Sequence, residues 1–199
     1  MLKADDCLVL NIRTIGEPDA ELVAAKLPLR YERAQRFARE DDRLRSIGAG
    51  LLLLRLGLRD EADIEYGPHG KPSVSYLPHF NISHSGDYVV CAQGNAEIGV
   101  DIERPRKGNL KLAEHVFTER EREWMWQEDS SLRFLKLWTC KEAVMKLFGE
   151  GLHMPPESFD VMPLIYGEEQ MLRGTTLSAR SETFDDYVLA VAKARQRDR

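Results

Sequence analysis

The stretch GDYVVCA, residues 86–92, is echoed by DDYVLAVA, residues 185–192. Each copy opens with turn-forming residues and continues as the short apolar run that is typical of a buried strand. A long charged helix is predicted upstream of each copy, ERAQRFAREDDRLRS and EREREWMWQEDSSLR. A repeat of one α+β unit would explain the pattern, although any two strands can share a Tyr-Val pair.

Working outward from these stretches, we predict an α+β fold of two similar halves, residues 1–97 and 98–199. Each half would have a small, mainly antiparallel sheet packed with a long helix. The halves would be related by a pseudo-twofold axis.

The helices and strands follow from local patterns. Residues 8–12 are predicted to form a strand, and 29–58 a long helix with a hinge near Gly48 and Gly50. Residues 117–148 are predicted to form two helices with a break around 127–131. The stretches 177–181 and 187–192 are predicted to be closing strands.

Composition narrows the class of protein. With 199 residues and 43% hydrophobic content, the chain suits one compact unit or two small fused halves. A formal net charge of −5 gives no support for nucleic-acid binding, but it leaves room for a local basic site. Three cysteines without metal-ligand spacing, no signal peptide and no membrane-spanning run lead us to expect a cytoplasmic protein with no membrane partner.

Two acids end the predicted strand EIGVDIE. Asp101 and Glu103 are two residues apart, so a strand places both carboxylates on one face. Together with Glu142 from a predicted helix, they would suit Mg²⁺, which prefers oxygen ligands and commonly shares them with substrate phosphates. A solvated strand end beside Arg104 and Arg106 explains the two strand acids equally well.

The predicted helix RFLKLWTCKEAVMKLFG carries three further charged groups of interest. Glu142 and Lys146 are four residues apart on the flank of an apolar sector, and Lys141 falls inside that sector. An ordinary surface ion pair with a snorkelling Lys141 would account for them. Burial of an unpaired ammonium is costly, however, so Lys141 is harder to explain as an ordinary surface residue.

Basic side chains upstream suit an anionic ligand. Arg30, Arg33 and Lys71 could contact phosphate oxygens, and His84 follows in the segment SHSG. An ordinary charged helix face and a turn histidine bonded to backbone are the alternatives. No P-loop or GxGxxG segment follows a predicted strand, so a nucleotide would be held by other means.

Five motifs occur in the order known from the 4′-phosphopantetheinyl transferases that act on peptide-synthetase and polyketide carrier proteins, and the chain resembles this family. They are an arginine-rich helix ending in RF, GKP (70–72), FNISHS (80–85), GVDIE (99–103) and WTCKEAVMK (138–146). The resemblance covers roughly residues 30–146. It implies transfer of the phosphopantetheine arm of coenzyme A to a carrier-protein serine, with release of adenosine 3′,5′-bisphosphate.

The resemblance also implies where the site lies and what individual residues do. The active site would occupy the cleft between the two halves, where residues 1–97 supply the coenzyme A nucleotide contacts and residues 98–199 supply the metal ligands and catalytic groups. Asp101, Glu103 and Glu142 would hold Mg²⁺, with Mn²⁺ as a substitute, on the coenzyme A pyrophosphate. Lys146 would add positive charge there.

The proton of the attacking serine would go to Glu142 or to its rival Glu121, and Lys141 would support the same site. Contacts to coenzyme A are implied for Arg30, Arg33, Ser46, Lys71, Pro72, Ser83, His84 and Lys146.

The implied protein partner is an apo acyl or peptidyl carrier protein, bound by a functional monomer. Docking would use a basic loop (Arg104, Arg106, Lys107 and Lys111) and an apolar patch (Val116, Phe117, Trp124 and Met125). The alternatives are a catalytically silent homologue that binds carrier proteins or coenzyme A, and a metal-dependent phosphodiesterase.

Overall fold

The computed structural model describes residues 7–105 and 109–196. The strands are β1 (Cys7–Asn11), β2 (Glu65–Tyr66), β3 (Pro72–Ser73), β4 (His79–Ser85), β5 (Tyr88–Gly94), β6 (Ile98–Glu103), β7 (Gln170–Leu172), β8 (Thr175–Phe184) and β9 (Tyr187–Ala194). The helices are α1 (Glu17–Lys26), α2 (Pro28–Gln35), α3 (Glu40–Leu56), α4 (Ala113–Val116), α5 (Glu119–Met125), α6 (Ser130–Phe148) and α7 (Met162–Ile165). None of these helices is long and apolar enough to cross a lipid bilayer.

Two antiparallel sheets form the framework. The first has the strand order β1-β5-β4, the second has the order β6-β9-β8-β7, and β2 and β3 form a separate short hairpin. The two sheets share a pattern. In the first sheet β5 lies between β1 and β4, and in the second β9 lies between β6 and β8, so in each sheet the last strand pairs with the first strand and with the strand just before it in the chain. The predicted α+β class is confirmed, whereas the pseudo-twofold axis and the boundary at residues 97/98 stay predictions.

The two turns of the repeated motif contact each other. Tyr88 Oη donates a hydrogen bond to Asp185 Oδ2 at 2.9 Å, and the Asp87 N–H donates one to Tyr187 Oη at 3.0 Å. The two tyrosine rings meet edge to face, with centroids 4.9 Å apart. Gly86 has a φ of +53°, and an added Cβ would lie 2.1 Å from Tyr187 Oη, so only glycine fits there.

The predicted hinge near Gly48 and Gly50 is wrong, because α3 runs through both glycines without a break. Their missing side chains serve close packing instead. A Cβ on Gly48 would lie 3.2 Å from Leu10, and one on Gly50 would lie 2.9 Å from the Cδ of Arg30. The break falls at residues 36–39, between α2 and α3.

The break predicted around residues 127–131 is confirmed at residues 126–129. The side chain of Thr118 accepts the Glu121 N–H at the start of α5. Asp129 Oδ1 accepts the Leu132 N–H at 3.1 Å and caps α6. These acceptors satisfy first-turn N–H groups and define where each helix begins.

Buried apolar side chains form three clusters. One lies between the first sheet and α1 to α3, and one lies around α6 in the second half. A third joins the two sheets and consists of Cys7, Val90, Ala92, Ile98, Val100, Ile102, Tyr187, Leu189 and Val191. Because burial of apolar surface stabilises the contact, this third cluster holds β5 against β6 and β9.

A close approach of main chains sets the position of α6 on β6. An added Cβ on Gly99 would lie 2.0 Å from the carbonyl oxygen of Ala143 and 2.4 Å from the nitrogen of Leu147. The strand and the helix therefore touch backbone to backbone at Gly99. This contact brings the acidic end of β6 beside the helix that carries Glu142 and Lys146.

Candidate active site

Polar side chains join β4 to β6, which belong to different sheets. Asn81 Oδ1 accepts a main-chain N–H of β6 at 3.0 Å. Ser83 Oγ donates to Asp101 Oδ1 at 2.7 Å, and Ser85 Oγ donates to Glu103 Oε2 at 3.0 Å. The three β4 residues alternate along the strand, so all of them face β6. The motif FNISHS thus supplies the residues that hold the two strand acids in place.

The ammonium of Lys146 completes this cluster. It lies 2.6 Å from Asp101 Oδ1 and donates to Ser83 Oγ at 2.9 Å. Asp101 is 3% exposed, and its second oxygen, Oδ2, is buried without a hydrogen-bond partner. A buried carboxylate oxygen left without a partner is costly, so this atom is suited to receive a cation.

Glu142 lies beside the strand acids. Its pKa is raised to about 7 by burial and by the negative charges of Asp101 and Glu103, despite the opposing effect of Lys146. Two carboxylates that raise the pKa of a third by charge repulsion lie close to it. The structure therefore brings Asp101, Glu103, Glu142 and Lys146 into one neighbourhood, as the sequence predicts.

The metal assignment stays a prediction. Within residues 7–105 and 109–196, no group of three or more His, Cys, Asp or Glu side chains is arranged so that it could hold a metal ion. Hydrogen bonds from Ser83 and Lys146 occupy Asp101 Oδ1, and one from Ser85 occupies Glu103 Oε2. The unpartnered Asp101 Oδ2 and the crowded negative charge at Glu142 are nevertheless features that a divalent cation would relieve, so the donor set fits Mg²⁺ chemically.

A cavity of about 330 Å³ lies in the first half. It is lined by Arg30, Phe37, Asp42, Arg45, Ser46, Ala49, Leu53, Ile64, Tyr66, Gly70, Pro72, Ile82 and His84. Four residues that the sequence analysis assigned to coenzyme A, namely Arg30, Ser46, Pro72 and His84, line it together. Arg30 Nε is buried and has no hydrogen-bond partner. A cavity with an unsatisfied guanidinium N–H is suited to an anionic ligand.

Positive charge converges on this cavity. The pKa of His84 is lowered by partial burial and then by the charges of Arg45 and Lys146. Arg45 is itself fixed, because it donates to the Gly86 carbonyl and pairs with Asp42, each at 2.5 Å. Phe37 and Tyr66 were not predicted to belong to the site, although both are about half exposed and line the cavity. Their aromatic character was the available signal, since large aromatic side chains are common in ligand pockets.

Lys71 lies outside this cavity. Its Nζ donates to the Leu147 carbonyl at 2.6 Å and to Glu97. The side chain lines a second cavity of about 450 Å³ that also includes Phe148. Lys71 therefore anchors the C-terminal end of α6, where a cation is favoured by the helix dipole.

Arg33 also does not line the 330 Å³ cavity. Its side chain is 55% exposed, and its Nη2 lies 3.5 Å from Glu61 Oε1. A movement of this exposed side chain would be required for it to reach a ligand beside Arg30.

Glu121 and Lys141 are placed in the core of the second half. Both side chains are 0% exposed and are 2.9 Å apart. Lys141 also donates to the carbonyls of Pro156 and Phe159, and Glu121 Oε1 accepts the Val161 N–H at 2.7 Å. This geometry speaks against the predicted catalytic roles, because an enclosed and fully paired carboxylate cannot reach a substrate hydroxyl.

Two of the four basic residues expected in the docking loop can be located in the structure. Arg104 and Lys111 are exposed, whereas Arg106 and Lys107 lie outside the described residues.

The apolar patch expected beside the basic loop needs correction. Phe117 and Met125 are buried in the core, at 1% and 0% exposure, because their side chains pack beneath α6. Leu112 and Trp126, which the sequence analysis did not select, are 50% and 58% exposed.

Comparisons with known proteins agree with the motifs. The model of the 4′-phosphopantetheinyl transferase superfamily matches residues 97–192. A 4′-phosphopantetheinyl transferase of Bacillus subtilis is 34% identical over 157 residues, which is 73% of this chain and 70% of that protein. The 4′-phosphopantetheinyl transferase gsp of Aneurinibacillus migulanus is 44% identical over 94 residues, which is 46% of this chain and only 40% of that protein.

A solved structure is also similar to part of the chain. The holo-(acyl-carrier-protein) synthase of Thermotoga maritima matches 51% of this chain and 64% of its own chain, with 16% identity and a TM-score of 0.37. The family that the five motifs predict is confirmed by the sequence relatives. The chain belongs to the 4′-phosphopantetheinyl transferase superfamily.

Proposed function

We propose that the protein transfers the 4′-phosphopantetheine arm of coenzyme A to a serine of an apo acyl or peptidyl carrier protein. The serine oxygen forms a bond to the β-phosphorus of coenzyme A, and the bond from that phosphorus to the bridging oxygen breaks. Adenosine 3′,5′-bisphosphate leaves with the bridging oxygen, and the serine proton passes to a base of the enzyme. The relatives' printed names support this activity.

The observation that carries the proposal is the position of His84. It lines the cavity that holds Arg30 and Ser46, and Lys146 of the carboxylate cluster is close enough to lower its pKa. A ligand with a phosphate in the cavity and a pyrophosphate near Lys146 would span the two sites. Coenzyme A has this arrangement of phosphates.

Each residue of the cluster has a task in this reaction. Asp101, Glu103 and Glu142 would hold Mg²⁺, or Mn²⁺ in its place, which supplies charge neutralisation at the pyrophosphate when bound. Lys146 stabilises negative charge on the departing phosphate, and Ser83 keeps its ammonium in position. Glu142 is our candidate for the base, since Glu121 is enclosed in the core.

Arg30, Ser46 and His84 bind the 3′-phosphate, and Pro72 borders the adenine. Arg33 joins them only if its exposed side chain moves. We further propose a cytoplasmic enzyme that acts as a monomer and binds neither nucleic acid nor membranes.

The test is incubation with coenzyme A, Mg²⁺ and a panel of purified apo carrier proteins, followed by intact-mass measurement. We expect one phosphopantetheine to be added to at least one carrier. A carrier that binds without a mass gain would indicate a silent homologue. Cleavage of coenzyme A in the absence of a carrier would indicate a phosphodiesterase. Either result would overturn the proposed function.

A further inference from the structure

Glu61 is a buried acid to which the proposed reaction gives no role. Its side chain is 6% exposed and stands in the short 3₁₀ turn Glu61–Asp63. The turn itself is capped by Asp60, whose Oδ1 accepts the Ala62 N–H at 2.9 Å. A carboxylate is seldom buried unless it makes specific contacts, so the partners of Glu61 need an explanation.

The main partner is the start of α2. Glu61 Oε2 accepts the main-chain N–H of Arg30 at 2.8 Å. Arg30 is the third residue of α2, which begins at Pro28 and has no side-chain cap of its own. First-turn N–H groups of a helix have no partner inside the helix, and a carboxylate is favoured at that end. Glu61 therefore fixes the first turn of α2 from a distant segment of the chain.

The side chain of Arg30 is restricted at a second point. Its Cδ would lie 2.9 Å from a Cβ added to Gly50, so the aliphatic stem of Arg30 runs directly over the backbone of α3. Arg30 lines the 330 Å³ cavity, and its guanidinium Nε is buried without a hydrogen-bond partner. Main chain and stem are thus both held, and together they set where the guanidinium lies.

The second oxygen of Glu61 makes a weaker contact. Oε1 lies 3.5 Å from Arg33 Nη2, accepts no hydrogen bond, and faces a side chain that is 55% exposed. An exposed contact of this kind contributes little. The effect of Glu61 on a ligand therefore runs through Arg30.

We propose that Glu61 is a positioning residue that holds Arg30 for the 3′-phosphate of coenzyme A. This inference rests on the proposed function. It makes Glu61 a determinant of the choice between coenzyme A and 3′-dephospho-coenzyme A, although Glu61 touches neither. Loss of the anchor lets the first turn of α2 shift, and the guanidinium leaves the position that it needs for a charge-assisted hydrogen bond.

The test compares Glu61→Ala and Glu61→Gln with the wild type and with Asp60→Asn. The last variant is the matched control, because Asp60 is a carboxylate of the same turn that caps the turn itself at the Ala62 N–H. For each protein, kcat and KM are measured with coenzyme A and with 3′-dephospho-coenzyme A, and binding of both is measured by calorimetry. Thermal melts report on folding.

We expect Glu61→Ala to raise the KM for coenzyme A about tenfold, while kcat and the KM for the dephospho form stay near wild type. Glu61→Gln should keep most of the discrimination, because its amide oxygen can accept the same N–H. Asp60→Asn should leave the ratio of the two KM values unchanged. A purely structural role of Glu61 would change stability but not this ratio.

Gly50→Ala displaces the side chain of Arg30 without any change to Glu61. The added methyl group meets the Arg30 stem and should reduce the discrimination even if Glu61→Ala fails to fold. Unchanged discrimination in Gly50→Ala and in every folded Glu61 variant would overturn the inference. A wild-type protein that transfers nothing to any carrier would instead refute the proposed function, so the two failures are distinguishable.

Discussion

At the scale of single residues, the two oxygens of Asp101 have different surroundings. One accepts hydrogen bonds from Ser83 and Lys146, and the other is buried without a partner. We predict that Asp101→Asn lowers turnover at least about a hundredfold, equivalent to about 2.7 kcal/mol of barrier, because negative charge is lost where a cation would bind. Folding should persist, since asparagine retains an oxygen that accepts the same hydrogen bonds.

The measurement is turnover against Mg²⁺ concentration for Asp101→Asn, Glu103→Gln and Glu142→Gln, with thermal melts as the folding control. Excess Mg²⁺ should partly restore a variant whose defect is metal affinity, but not one that has lost the base. We expect Glu142→Gln to be at least as damaging as the other two. Wild-type curves for Asp101→Asn and Glu103→Gln would remove the metal assignment.

The buried pair of Glu121 and Lys141 belongs to stability rather than to catalysis. We predict that Lys141→Met lowers the free energy of unfolding by about 3–5 kcal/mol, because it leaves the Glu121 carboxylate buried without its counterion. The double variant Glu121→Gln/Lys141→Met should recover part of this loss. Urea unfolding measures the effect.

Turnover per folded molecule is the companion measurement for these variants. It should stay within about threefold of wild type. Loss of a general base would lower it far more, by ~10²–10⁴-fold. A fall in turnover of that larger size at unchanged stability would show that Glu121 or Lys141 takes part in catalysis.

The surroundings of Lys141 could be predicted only in part from the sequence. Its place in an apolar sector showed only that an ordinary surface position does not explain this ammonium. The partners are Glu121 and two carbonyls from the loop after α6, which helical periodicity cannot identify. The catalytic role came from the motif, whereas in the structure Lys141 pairs with Glu121 and Lys146 pairs with Asp101.

At the scale of elements, the contact of β6 with α6 depends on Gly99. A methyl group at this position would lie 2.0 Å from a main-chain oxygen and 2.4 Å from a main-chain nitrogen, neither of which can rotate away. We predict that Gly99→Ala lowers the free energy of unfolding by more than about 3 kcal/mol. Gly94→Ala is the matched control, because its nearest neighbour would be 3.5 Å away.

Chemical denaturation of both glycine variants checks this prediction. Equal midpoints for Gly99→Ala and Gly94→Ala would mean that strand and helix can separate without cost. If Gly99→Ala folds with reduced stability, we also expect lower turnover, since the displaced helix carries Glu142 and Lys146 away from Asp101.

Some helices, strands and breaks could be predicted from the sequence, and others could not. Strands β5, β6 and β9 and the break between α5 and α6 follow from apolar runs, turn residues and capping side chains. The break at residues 36–39 does not, because that segment, RFAR, contains neither proline nor glycine. Gly48 and Gly50 led to the wrong prediction of a hinge. Both lie inside the continuous helix α3, where the lack of a side chain lets Leu10 and Arg30 pack closely. Contacts between β4 and β6 are tertiary and leave no local pattern.

At the scale of the whole molecule, one chain supplies both sheets and all the side chains that meet at Asp101. The apolar cluster between β5, β6 and β9 is formed within the chain, so a second copy is not needed to cover it. We predict an active monomer in solution. Size-exclusion chromatography with light scattering, combined with the transfer assay on each fraction, checks this. Activity confined to fractions of dimer mass would contradict it.

The meeting of the two hairpin turns also limits how the sequence can change over evolutionary time. Gly86 leaves no room for a side chain because the Tyr187 hydroxyl fills that space. Its neighbour Asp87 offers the N–H that this hydroxyl accepts. A larger residue at position 86 therefore becomes acceptable only after the tyrosine at 187 has been replaced by something smaller. Among homologues the two positions should covary, although they lie about a hundred residues apart in the chain.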